Sequence, residues 1–414
     1  RNSALELLED FFLSFNKDSD LYPGVQQGDN GQSMMLGGID ENGNSVFNLL
    51  SELCLEASYN NKLIDPKINL RVGKDTPQEI YTKASHLTKA GLGFPQYSND
   101  DIVIPALEKL GYEPQITQKG AVLVKLGGKD DENAVVLAAH MDTLGGMVCQ
   151  IMDNGHLKLT NIGGMNPNNA EAENCKVYTK SGKVYDATFQ LENASVHVNG
   201  EYSDTKRTYE TMEAILDEPV KNKEDVKKLG IMTGDFVCFD PRTVVTESGY
   251  IKSRFLDDKF STAILLGYAK YLKEKEIQTE RTIYVLITSY EEVGHGGCAA
   301  IPDGVTEMIS VDMGCVGKGL ECDETMVSIC AKDSMGPYDY QVVSGLIKAA
   351  QENDIAFAVD VYPHYGSDVD AALKAGYDMK HGLIGPGVYA SHGYERSHRD
   401  GAKNTLKLLK AYLG

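Results

Sequence analysis

The chain lacks any apolar run long enough to span a bilayer, so no transmembrane helix is expected. It lacks a basic stretch followed by an apolar core and a small-residue cleavage site at its start, so no secretory leader is read there. Positive charge is in deficit: 40 Lys and Arg stand against 60 Asp and Glu, a formal charge of −20. Non-specific nucleic-acid binding rests on neutralising phosphates, so nucleic-acid partners are not expected. The surplus reads first as solubility, and as repulsion from anionic membrane surfaces. The eight cysteines include no C-x-x-C pair and no zinc-finger spacing. Their scatter through contexts such as "DFVCFD" and "VSICAK" predicts reduced, packed thiols in a cytoplasmic protein. Internal repeats and low-complexity tracts are also missing. The chain opens on Arg1 rather than Met, as a fragment or a processed product does.

What is there is ordinary globular material: 414 residues, 42% hydrophobic and 24% charged. That length holds two or three domains with a sizeable core. Residues 1–112 read as helices joined by polar loops, among them "SALELLEDFFLSF", "SVFNLLSELCLEASYNN", "TPQEIYTKASHLTKAG" and "NDDIVIPALEKLGY". From about residue 113 short strands alternate with helices. Residues 150–250 break that rhythm with strand-rich, turn-rich sequence such as "HLKLTNIGG", "CKVYTKSGKVYDATFQL" and "ASVHVNG". The expectation is an α/β domain over 113–149 and 251–414, with a small β-domain inserted between. Its mixed sheet is covered by helices on both faces.

In an open α/β sheet, functional groups gather at the carboxyl ends of strands. His140 and Asp142 close "NAVVLAAHMD", Asp257 and Asp258 precede a helix, Glu291 and Glu292 follow "YVLITSY", Asp312 follows "MISV", and His392 follows "HGLIGPG". Oxygen and imidazole donors in this number suit two divalent ions bridged by a carboxylate. Adjacent glutamates at a strand end point to opposite sides, so one can bind metal while the other serves as base. Asp142, two residues beyond His140, returns to the same side and can orient its ring. Singly, each feature reads as a helix cap, a surface pair or a structural histidine. His295, His364 and His381 are read that way, and "CAKDSMGPYDY" first as a connecting loop, with lining of the substrate groove as its second reading.

The stretches "AAHMDTLGGMV", "SRFLDDKFSTA", "TSYEEVGHGG", "ISVDMG", "YPHYGSDVDAA" and "ASHGYERSH" resemble the M42 metallo-aminopeptidases, the glutamyl and tetrahedral aminopeptidase group, over residues 110–414. The resemblance implies a phosphorylase/hydrolase-like fold and two zinc or cobalt ions. It implies peptide substrates and a homo-oligomer, a dodecamer. It assigns His140, Asp257 and Asp312 to one metal, and Asp257, Glu292 and His392 to the other. Asp257 rather than Asp258 is taken as the bridge, Glu291 as general base and Asp142 as orienter of His140. Gly366, Ser367 and Asp368 resemble a family stretch near the substrate's amino end.

Residues 20–112, with "QSMMLGGIDENGNSVFNLLSELCLEAS" and "DPKINLRVGKDTPQEIYTKASHLTKAG", resemble an internal piece of a glycyl radical enzyme of the pyruvate formate-lyase or glycerol-dehydratase type. That family needs a cysteine in a Gly-Cys-Val-Glu-like context and a glycine in an Arg-Val-x-Gly-Tyr-like context. Neither occurs, and Cys54 reads as a packed helical thiol. A chimera joined near Tyr112 is expected. Alternatives remain open at this stage: another metal-dependent amidase or deacylase on the same scaffold, or a fused radical-lyase fragment with no activity of its own.

Overall fold

The computed structural model describes residues 2–14, 33–37, 47–61, 67–72, 96–99 and 103–414. The chain divides into two compact units, Arg1–Lys109 with Thr179–Val184, and Leu110–Tyr178 with Tyr185–Gly414. Among the described residues no helix is long and apolar enough to cross a membrane.

In the larger unit the apolar run at 134–139 organises the sheet. Each of these residues is at most 1% exposed, so both faces of the strand are covered. An unbroken apolar run is what a central parallel strand requires, since alternation would leave one polar face buried. The strand Asp130–His140 pairs in parallel with Arg281–Thr288 on one side and Val305–Val311 on the other. Lys380–Tyr389 extends the parallel set beyond Val305–Val311, and Val122–Gly127 pairs antiparallel with Arg281–Thr288. With shorter strands these form a 12-stranded mixed sheet. Four neighbouring strands therefore run the same way and end together.

Helices cover this sheet. Leu256–Glu274 packs on Asp130–His140 and on Arg399–Leu413, with Leu265, Tyr268, Ala269 and Leu272 buried at helical spacing. Val369 and Ala372 of the helix Asp368–Lys374 join Val136, Ala138, Leu286, Met308 and Leu383 in one apolar cluster. The α/β reading of the sequence and its mixed sheet are thus observed.

A second sheet closes into a six-stranded barrel, in the order Val184–Leu191, Met212–Leu216, Leu157–Ile162, Gly145–Ile151, Phe236–Phe239 and Glu173–Tyr178. Leu159, Val177, Phe189, Met212, Val237 and Phe239 fill it. Two details depart from the sequence reading. "ASVHVNG" forms turns, with Val196 and Val198 exposed; among the described residues no strand pairs with it. A short helix, Lys223–Leu229, stands where none was expected; Asn222 caps its start and left-handed Gly230 ends it. All eight cysteines are free, but Cys149 and Cys238 are exposed rather than packed, since both lie on outward-facing strand positions.

In the smaller unit Asn2–Ser14 and Leu49–Asn61 pack together, burying Phe12, Leu53, Cys54, Leu55 and Ala57. Asn60 and Asn61 donate to the Glu9 carboxylate and carbonyl. Cys54 is a buried helical thiol. Three short parallel strands, Ser33–Gly37, Lys67–Val72 and Gln96–Asn99, accompany the helices. Runs of four to six residues carry too little periodicity to be told from loops. "NDDIVIPALEKLGY" yields the helix Val103–Lys109. The helix expected at 76–91 lies outside the described residues.

Barrel and sheet meet at Glu173. Its buried carboxylate accepts from Arg254 Nη2 at 2.7 Å and Arg242 Nε at 2.8 Å. Arg254 is itself only 4% exposed. Glu173→Ala would leave that guanidinium buried without its carboxylate. Removing one partner of a buried pair costs about 3–5 kcal/mol, and the urea midpoint should fall accordingly. An unchanged midpoint would contradict the pairing.

Candidate metal centre

His140 is the last residue of its strand, and Thr288 stands beside it in register. After Thr288 the chain turns through Tyr290, at φ 71°, into the 3-10 turn Glu291–Val293. Asp312 follows the strand Val305–Val311, and His392 follows Lys380–Tyr389. Asp257 and Asp258 lie at the start of the helix Leu256–Glu274, joined by a cis peptide. The four parallel strands and this helix thus deliver all of these groups to one end of the sheet.

There His140 Nε2 lies 3.0 Å from Asp257 Oδ1 and 3.8 Å from Glu291 Oε2. The other oxygen of Asp257 lies 3.6 Å from His392 Nε2, and Glu292 Oε2 lies 3.7 Å from that same nitrogen. One carboxylate therefore spans two imidazoles. The Asp258 carboxylate accepts from the His140 backbone N–H at 3.2 Å. Donor atoms of His140, Asp257 and Glu292 lie within 4.8 Å of one another, as do those of His140, Asp258 and Asp312. A cavity of about 360 Å3 is lined by Asp257, Glu291, Glu292, Asp312 and His392.

Asp142 does more than face the imidazole. Its backbone carbonyl is the nearer group to His140 Nδ1, at 3.2 Å, with the carboxylate at 3.6 Å. The carboxylate oxygens accept from the backbone N–H groups of Glu291 and Glu292, each at 3.1 Å. Asp142 thereby anchors the turn that carries both glutamates. That turn also corrects a premise: Glu291 and Glu292 do not extend a strand, so strand alternation does not separate them, and both line the cavity.

The electrostatics ask for cations. Burial, then the Asp257 charge, push the Glu292 carboxyl up to about 9 and that of Asp312 up to about 8. Burial and the Asp312 charge hold Glu291 well above the carboxylate range. Against burial, the hydrogen bond and charge of His140, with His392, hold Asp257 below its ordinary value. Among the described residues Asp258 Oδ1 is buried without a hydrogen-bond partner. Gathering this much negative charge out of water is unfavourable unless cations pair with it. Carboxylate and imidazole donors, with an orphaned carboxylate oxygen beside them, fit a divalent metal ion.

Several residues of the site were not read from the sequence. Glu395, 2% exposed, accepts from the backbone N–H of both Asp257 and His392, and burial with the Asp257 charge pushes it up to about 8. It stands three residues after His392, the one signal that could have found it. Gly164 of the loop after the barrel strand Leu157–Ile162 leaves room for His392; a Cβ there would meet Nδ1 at 2.6 Å. Gly385 does the same for the Asp312 carbonyl. Asp368, named from the sequence only through its family-like stretch, is buried and accepts from Thr288 Oγ1 at 2.6 Å. His364, read from the sequence as structural, lines the cavity together with Ser334 and Met335 of "CAKDSMGPYDY", in line with that stretch's second reading.

A family model described as M42 glutamyl aminopeptidase matches residues 120–408. A pyruvate formate lyase-like model matches residues 1–123. The protein YhfE of Bacillus subtilis (strain 168), named as an aminopeptidase, is 46% identical over 295 residues, covering 71% of this chain and 85% of its own. The (2S)-3-sulfopropanediol dehydratase of Klebsiella oxytoca is 31% identical over 137 residues, 31% of this chain and only 17% of its own length. Among solved structures, the Pyrococcus horikoshii TET1 peptidase, described as assembling into a tetrahedron or a large octahedral shell, superposes with a TM-score of 0.66 at 21% identity. That match covers 74% of this chain and 91% of the other, and it shows the shared fold. Preceded by a segment similar to a small piece of the glycyl radical enzymes, the chain belongs to the M42 glutamyl aminopeptidase family, and it is an aminopeptidase.

Proposed function

We propose that the chain removes N-terminal residues from peptides with two divalent ions, zinc or cobalt. His140, Asp257 and Asp312 would hold one ion, and Asp257, Glu292 and His392 the other. The observation that carries this reading is the Asp257 carboxylate, one oxygen facing His140 and the other facing His392. Ions bound there supply Lewis acidity to the scissile carbonyl and lower the pKa of water towards neutrality. Glu291, beside His140 and outside the assigned ligand sets, is the general base: it takes the proton of the attacking water and returns it to the leaving amine. Asp142 is a positioning residue for His140 and for the Glu291 turn.

Residues 113–149 and 251–414 are read as the catalytic domain and 150–250 as the inserted one. A homo-oligomer, a dodecamer, is proposed on the likeness to the TET1 assemblies. A cytoplasmic location is proposed on the eight free thiols.

Glu291→Gln keeps the side chain's size and removes the base. Turnover of aminoacyl-p-nitroanilides should fall about 100- to 10,000-fold with metal content unchanged. Near wild-type turnover would remove Glu291 from its role. His392→Ala should lower metal content measured by elemental analysis; an unchanged content would mean that His392 is no ligand. In chelator-treated protein the folded chain keeps protons on Glu292 and Asp312 that the unfolded chain releases at lower pH. Its Tm should therefore fall as pH rises from about 5 to about 9, and added metal should reverse the trend. A Tm that climbs with pH in the chelated protein would contradict these proton affinities.

A further inference from the structure

Burial pushes the thiols of Cys175, Cys315, Cys322 and Cys330 up to about 12, and it raises Cys54 too. Desolvation by its neighbours raises Cys238 as well, although its outer surface is exposed. Cys149 faces solvent on its strand, while the half-buried Cys298 has a cation at its sulfur. Lys119 Nζ donates to Cys298 Sγ at 3.2 Å. The same ammonium donates to the His295 carbonyl, lies 3.0 Å from His295 Nδ1, and stands 5.5 Å from the centre of the Tyr290 ring. Tyr290 stacks on the His295 imidazole, ring centres 5.1 Å apart. The proposed hydrolysis uses none of these groups. We propose that Cys298 is a peroxide-reactive thiol, oxidised reversibly to the sulfenic acid beside Lys119, and that its oxidation loosens the turn carrying Glu291 and Glu292.

Peroxide is attacked by a thiolate, and a neighbouring ammonium attracts that negative sulfur. Sγ attacks one oxygen of hydrogen peroxide; the S–O bond forms as the O–O bond breaks. The departing hydroxide takes a proton from Lys119 and leaves as water, and the proton shed by the thiol restores the ammonium. Thiol and peroxide thus become sulfenic acid and water, sulfur losing the electron pair that the peroxide gains. A thiol reductant returns the cysteine. The coupling to the glutamates is mechanical. Lys119 sits in the turn 117–120, closed by the Gly120 N–H on the Thr117 carbonyl at 2.9 Å. Its carbonyl accepts from Ser289 Oγ at 2.8 Å, and its ammonium holds the His295 carbonyl, so one residue clamps the chain on both sides of Glu291 and Glu292. Gly296 packs on the turn itself: a Cβ there would lie 3.0 Å from Glu291 N and Cα. An oxygen added to Cys298 competes for the ammonium that holds His295, and it enlarges a side chain two residues beyond Gly296.

The test treats the full chain, with zinc supplied, with hydrogen peroxide, traps sulfenic acid with a cyclic diketone and locates the label by peptide mass spectrometry. Cys298 should label about 10-fold or more faster than the more exposed Cys149 and Cys238, the scale on which a neighbouring cation activates a thiol. Lys119→Met should erase that preference, and Lys119→Arg, which keeps the charge, should retain it. Labelling of Cys149 or Cys238 as fast as Cys298, or a preference unmoved by Lys119→Met, overturns the site. Should Lys119→Met fail to fold, the ranking of the three thiols in the unaltered chain decides. The link to turnover rests on the aminopeptidase reading above. Peroxide should lower aminoacyl-p-nitroanilide turnover about 10-fold or more, as a slightly misplaced catalytic group does. A thiol reductant should restore it, and Cys298→Ser should resist the loss. An equal loss in Cys298→Ser, or labelling of Cys298 without loss, overturns the coupling. Absence of turnover before peroxide is added overturns the aminopeptidase reading instead, and the labelling still decides the site.

Discussion

Asp257, Asp258, Glu291, Glu292 and Asp312 crowd around His140 at the ends of four parallel strands, in a place where water cannot solvate them all. Burying that much negative charge is the constraint to which the surrounding structure answers. Left to itself the cluster keeps protons that free carboxyls would have lost, as Glu292 and Asp312 do. Divalent ions would displace those protons, so metal binding, charge and proton inventory are one problem here. The sheet supplies the rigidity. Residues 134–139 are sealed on both faces, and a strand so held cannot slide to spread its terminal histidine away from the acids.

Around the cluster a ring of groups fixes backbone rather than touching the reacting atoms. Asp142 holds the N–H groups of Glu291 and Glu292, and Glu395 holds those of Asp257 and His392. Gly164 and Gly385 keep out side chains that would displace His392 and Asp312. The barrel takes part in this arrangement: Gly164 lies in one of its loops, and Asn169 donates to the His392 carbonyl at 2.9 Å. The inserted β-structure is therefore part of how the site is held.

Much of this was legible from residue types at element ends. A histidine ending an apolar strand, and acids following other strands, are unusual enough to locate the cluster by sequence. The short bracing contacts were not. Nothing in "SHGYERSH" says that Glu395 turns back to the His392 N–H, because that depends on the turn's φ and ψ. The glutamate pair was found for a partly wrong reason, strand alternation, where a left-handed Tyr290 and a 3-10 turn deliver both side chains. "ASVHVNG" carries the β-branched residues of a strand, yet among the described residues none pairs with it. The first 112 residues were legible as foreign through their resemblance to another family, while their three short strands carried no periodic signal. The dehydratase match spans 137 residues and only 17% of that enzyme's length, so the likeness is to a small part of it.

The central claim is that this acidic cluster is a paired-metal site working on peptide amino termini. Its most direct test is to strip the protein with a chelator, titrate zinc or cobalt back, and follow bound metal and aminopeptidase turnover together. The account predicts about two ions per chain, with turnover returning as they bind. Saturation at one ion or none, or turnover indifferent to metal, would contradict it.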